Sequence, residues 1–206
     1  MQRLNLLTYG SLINRESFKK LVPDFGEYVI ILGWLNGHMR FLGAANPGVV
    51  PFEQMFDEQG NLLVKEVGTA TIERSKDKDR CNVVIYTNIP EEKIRLLDEA
   101  LKKINLDRTP MDDFFIKYYH GEQFNSNLPT VTYVARLYGM AHGNPVPTVR
   151  DDILPNLEYL QKLRSSAQFY NSVSDGRFAE DLDSTTYLPD KRTTVAEHSL
   201  ANSFPK

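Results

Sequence analysis

The chain has 206 residues, with 24 Lys and Arg against 27 Asp and Glu, a formal charge of −3. That balance argues against a basic nucleic-acid-binding surface, and 41% hydrophobic residues are too many for an intrinsically disordered chain. The single cysteine, Cys81, excludes an intrachain disulfide and a cysteine-based metal cluster.

In chain order, the apolar run 4–9 ends at Gly10-Ser11 and predicts a buried strand entering a turn. Asn14 can cap a helix over 15–22, stopped by Pro23. Segment 28–34 is β-branched and aromatic and is interrupted by Gly33 and Gly37, so a bent or bulged strand is expected, continuing over 39–42. Residues 43–59 read as a long loop, 62–67 and 69–74 as two strands, and 75–80 as a charged, solvated hairpin tip. A compact strand over 81–87 leads to Pro90 at the first position of a helix over 91–103. Its apolar residues Ile94, Leu97, Leu101 and Ile104 form one face suited to packing on a sheet.

Further strands are expected over 114–119 and 130–138, a helix from Leu154-Pro155 to about 166, and a short helical stretch over 176–182. The end, 189–206, is polar. Strands come first and helices are scattered without a regular βαβ rhythm, which favours an α+β fold. The longest apolar stretch, 28–35, is far short of a membrane span, and the first residues lack the apolar region of a secretory signal, so a soluble cytoplasmic protein is expected.

Chemistry is sparse. The four histidines, His38, His120, His142 and His198, share no ligand spacing, so no metal site is expected. Cys81 has no neighbouring His and reads as a core thiol. No Walker, Gly-x-Gly-x-x-Gly or Gly-x-Ser-x-Gly motif occurs. The informative segment is Leu7-Thr8-Tyr9-Gly10-Ser11-Leu12, where a strand ends, glycine allows a tight turn and helical backbone begins. Such a junction leaves backbone N–H groups able to hold a carboxylate or a polarised carbonyl oxygen. As physics alone it is also a common plain connection.

Tyr9-Gly10-Ser11-Leu12 resembles the signature loop of the γ-glutamylcyclotransferase-like proteins, including their avirulence-induced plant relatives. Gly68-Thr69-Ala70 through Arg80-Cys81-Asn82-Val83-Val84-Ile85-Tyr86 is similar to that family's central hairpin, and Pro90-Glu91-Glu92-Lys93-Ile94-Arg95-Leu96-Leu97-Asp98 to the helix after it. Pro155-Asn156-Leu157-Glu158-Tyr159-Leu160 and Thr186-Tyr187-Leu188-Pro189-Asp190 look like the C-terminal extension of a bacterial branch. The resemblance implies one domain over 1–190, a small mixed β-barrel with flanking helices, followed by a polar tail over 191–206.

It also implies a reaction. The α-amine of a γ-glutamyl amide or amine attacks its own γ-carbonyl, forming 5-oxoproline and releasing an amine. Tyr9, Gly10, Ser11 and Leu12 would bind the small-molecule substrate, and neither metal nor cofactor is called for. A carboxylate must move the protons, and loop donors must hold the developing oxyanion. The family's glutamate falls four residues beyond Leu97, where this chain has Leu101. The nearby carboxylates are Glu99 and its competitor Asp98. Glu99 lies about 200° around an ideal helix from Leu97, while Asp98 borders the apolar face. Glu53, Glu66, Glu73 and Glu122 are other acids that the sequence cannot place. Two functions follow from this: a cyclotransferase with a substitute base, or an altered relative that binds a small molecule or acts on a different amide.

Overall fold

The computed structural model describes residues 2–46, 50–75, 79–111, 115–119 and 126–198. Its centre is a six-stranded sheet built on β1 (Arg3–Thr8), which lies between two neighbours. One is β5 (Arg80–Pro90), antiparallel with Leu6 opposite Tyr86; the other is β8 (Thr130–Ala135), the parallel neighbour. Beyond β5 come β2 (Ile30–Asn36) and β7 (Phe115–Tyr118); beyond β8 comes β6 (Leu106–Pro110). Leu4, Leu6 and Leu7 are all buried although they alternate in direction, because both faces of β1 are covered.

A second, three-stranded sheet holds β3 (His38–Ala45) between β4 (Gly68–Arg74) and the short β11 (Thr186–Tyr187). β2 and β3 run against β5 and β4 as one long ribbon: Ile30 opposes Tyr86, Asn36 opposes Arg80, and His38 opposes Arg74. The ribbon changes sheet at Gly37, whose φ of +71° needs a residue without Cβ strain. There the Gly37 N–H donates to the Asp79 carbonyl and its own carbonyl accepts from Ser75 N–H. The bend expected from the glycines of 28–37 is therefore at Gly37. The result is the α+β fold expected from the sequence, a mixed sheet with helices on its flanks.

Helix α1 (Arg15–Leu21) starts at Asn14, whose side chain accepts from Glu16 N–H. Helix α2 (Glu91–Lys102) buries Ile94, Leu97 and Leu101 of the face expected from its spacing, and ends before Ile104, which is half-buried in the turn that follows. Pro90 is its extended N-cap rather than its first helical residue. Helix α3 (Leu157–Phe169) is capped by Asn156 and buries Leu160 and Leu163. Helix α4 (Phe178–Ser184) follows.

Two strand expectations change. Segment 62–67 is not a strand: Leu62 makes a single bridge to Phe56, and Val67 packs with Met55, Phe56 and Ile153 in a small separate cluster. The run 130–138 divides into β8 and β9 (Tyr138–Ala141), which pairs with β10 (Asn144–Pro147) in a hairpin. Strand β6 has no strand pattern of its own, since its sequence, Leu-Asp-Arg-Thr-Pro, is mostly polar; its pairing with β8 makes it a strand. Phe114, His120 and Glu122 lie outside the described residues. Cys81 is fully buried, and burial pushes its thiol up to about 11. Val195 is buried and its N–H donates to the Thr186 carbonyl, while 199–206 lie outside the described residues.

Candidate functional site

Where β1 ends, the chain makes one 3-10 turn, Ser11–Ile13, before α1. The turn closes a cavity of about 220 Å³ between the loop, α2 and β8. Tyr9, Gly10, Ser11 and Leu12 all line it, as does Leu101. The slot that the resemblance gives to a glutamate therefore faces the loop, and here it is filled by an apolar side chain.

The loop is held from several sides. The Ile13 and Asn14 amides donate within the turn to Gly10 and Ser11 carbonyls. The Ser11 amide donates to the Tyr159 hydroxyl at 3.2 Å. The Gly10 and Leu12 amides take no part in these three bonds. Tyr159 comes from the first turn of α3, which Asn156 fixes by accepting the Tyr159 N–H at 2.7 Å. A Cβ on Gly10 would lie 2.8 Å from the Tyr159 oxygen, so the loop approaches α3 at a distance that suits glycine. The Tyr9 ring is buried and its hydroxyl donates to the Tyr133 carbonyl of β8.

The wall opposite the loop is Leu101, Ile104, Leu106, Thr132 and Tyr133. At the mouth lie Ser17 and Lys20 from α1; Lys20 is the charged residue of the lining, and no carboxylate joins it among the described residues. Asp98 sits behind the wall. Its carboxylate accepts from the Tyr133 hydroxyl at 2.8 Å and lies 3.6 Å from Arg108. Glu99 is exposed on the far side of α2 and does not line the cavity. Glu53 and Glu66 are exposed, and Glu73 pairs with Lys191 at 2.6 Å. Desolvation raises the Tyr9, Tyr133 and Tyr159 hydroxyls above their ordinary values, so all three hold their protons at neutral pH. Tyr133 is raised further by the Asp98 carboxylate that accepts from it.

The cavity can thus hold a carboxylate or carbonyl oxygen with backbone donors and Lys20. Among the described residues it presents no carboxylate to take a proton from an ammonium. Lys20, Tyr133 and Tyr159 escape sequence reading because they lie on three different elements. Arg40, buried under the loop, leaves one trace: a charged residue inside the apolar segment 39–42. His38 and His142 bond to backbone carbonyls, at 3.2 Å from Asn36 and 2.9 Å from Glu53. No group of metal-ligating side chains occurs among the described residues. Nor, among them, is any helix long and apolar enough to cross a membrane.

No protein-family model and no curated protein sequence matches the chain. Solved structures do. A structure named gamma-glutamyl cyclotransferase superposes with a TM-score of 0.55 at 15% identity, covering 98% of both chains. An uncharacterized protein from Homo sapiens gives 0.55 at 16% identity, covering 91% of this chain and 90% of its own. YkqA from Bacillus subtilis gives 0.52 at 15% identity over 88% of this chain, which spans about half (53%) of YkqA. The chain has the γ-glutamylcyclotransferase-like fold.

Proposed function

We propose that this chain binds a small molecule of the γ-glutamyl amide or 5-oxoproline class in the cavity at Tyr9, Gly10, Ser11 and Leu12, without cyclotransferase turnover. The observation that carries the reading is the lining: the loop and Lys20 are present, and the glutamate slot is Leu101. Loop amides and the ammonium suit a ligand carboxylate. The apolar wall suits the methylenes of a glutamyl chain or an oxoproline ring.

Binding of γ-glutamylalanine and of 5-oxoproline by calorimetry tests this, with release of 5-oxoproline followed in parallel. Wild type is expected to bind and to release nothing above the spontaneous rate. Leu101→Glu is expected to gain release, because general acid–base catalysis is worth about two to four orders of magnitude. Failure of wild type to bind either compound would overturn the ligand assignment.

A second reading, turnover by wild type, is favoured by one contact. The Tyr133 hydroxyl joins the cavity wall to Asp98, so it can take a proton from the substrate ammonium as it hands its own to the carboxylate. Release by wild type that falls by about two orders of magnitude or more in both Tyr133→Phe and Asp98→Asn would establish it. Glu99→Gln is the control.

A further inference from the structure

We infer that Arg40 is the positioning residue of the ligand loop: it fixes the Tyr9–Gly10 peptide with its N–H toward the cavity. The inference rests on the proposed binding of a carboxylate-bearing ligand there. Arg40 lies within β3 and is 0% exposed. Its Nη1 donates to the Tyr9 carbonyl at 3.2 Å and to the Asn82 carbonyl at 2.9 Å. Nη2 donates to Asn82 Oδ1 at 2.7 Å, the Leu182 carbonyl at 3.1 Å and Thr185 Oγ1 at 3.3 Å, and Nε to Thr186 Oγ1 at 2.8 Å. Every one of these acceptors is neutral. The buried Asp183 carboxylate attracts Arg40 but is itself paired with Arg164 at 2.8 Å; burying an ion without a direct ion pair is costly as a general matter, so this charge is an expensive way to join strands.

The geometry of the peptide unit explains what it does. A trans peptide is planar, with its C=O and N–H pointing in opposite directions, and no cis bond occurs among the described residues. Arg40 holds the Tyr9 oxygen from the protein side. The N–H of the same unit belongs to Gly10, which lines the cavity. Turning the peptide over would strand a guanidinium N–H and set the Gly10 N–H, another donor, against it. Arg40 therefore fixes the direction of the donor before any ligand arrives. Its charge also acts on an anion at the loop through a low-dielectric interior, where Coulomb interactions are least screened.

The test compares 5-oxoproline with its neutral amide, 5-oxoprolinamide, as calorimetric probes. Wild type is expected to prefer the carboxylate. Arg40→Met should reduce that preference by about tenfold or more, the scale of a charge-assisted hydrogen bond. Thr185 is only half-buried and already touches Nη2, so Thr185→Asp supplies a carboxylate that neutralises Arg40 while leaving its bond to Tyr9. Because that bond remains, a lowered preference here reports the charge of Arg40 alone; the larger fall expected in Arg40→Met, or in Arg40→Gln if Arg40→Met does not fold, reports the loss of the held peptide. General loosening of the loop would weaken both probes equally and leave the ratio unchanged. An unchanged ratio in the folded variants overturns the role of Arg40 alone. Wild type binding neither probe overturns the ligand reading, and this inference with it.

Discussion

Two hollows lie on either side of Leu106, and they differ in their charges. The cavity under the loop, about 220 Å³, has one cation at its mouth and, among the described residues, no carboxylate. The groove outside, about 320 Å³, is bordered by Asp98, Lys102, Asp107 and Arg108. In the groove each acid meets a guanidinium: Asp98 lies 3.6 Å from Arg108, and Asp107 accepts from Arg136 at 2.8 Å. Water and paired charges make carboxylates inexpensive there. In the cavity a carboxylate would be desolvated, with only Lys20 as a charged companion, which raises its pKa and makes it a better base. The difference teaches that closeness in sequence to the glutamate slot is not closeness to the cavity: Tyr133 stands between the cavity and Asp98, and the pitch of α2 turns Glu99 outward.

Mutations can break or sharpen this contrast. The largest effect is expected at Leu101, which is 1% exposed. Leu101→Ala should cost about 2–5 kcal/mol in denaturant unfolding, as for other buried leucines. A much smaller loss would mean that the cavity wall is not part of the core. Gly10→Ala comes next. The added carbon must displace the Tyr159 hydroxyl from 2.8 Å, with a loss of about 1–3 kcal/mol and weaker probe binding. Wild-type affinity and stability in that variant would remove the close approach from the argument.

Tyr133→Phe should cost about 1–2 kcal/mol, because it removes a hydrogen bond to an ionised but partly exposed carboxylate. The smallest effect is expected at Glu99. Glu99→Gln should stay within about 0.5 kcal/mol of wild type in stability and leave probe affinity unchanged, as at other exposed positions. A clear loss of binding there would place Glu99 in contact with the ligand and dissolve the distinction between the two hollows.

Local signals in the sequence were enough for the elements whose pattern is self-contained. Asn14 before α1, Pro90 before α2 and the spacing of Ile94, Leu97 and Leu101 each specify a helix through nearest neighbours. The Leu-rich run of β1 followed by Gly10-Ser11 likewise marked the strand-to-turn junction and hence the part of the cavity lining from Leu7 to Leu12. What local pattern cannot carry is pairing. Strand β6 exists because β8 offers it a ladder, and 62–67 fails to be a strand because it is given only one bridge. The site divides in the same way. Its loop, and the leucine in the glutamate slot, were determined by the sequence alone, since motif and helical spacing are properties of neighbours along the chain. The direction of the loop's donors was decided by Tyr159, Tyr133 and Arg40. These meet Tyr9, Gly10 and Ser11 across separations of 31 to 148 residues. Only tertiary packing brings them within hydrogen-bond reach, and a buried guanidinium acquires its meaning only from the carbonyls that the fold gathers around it.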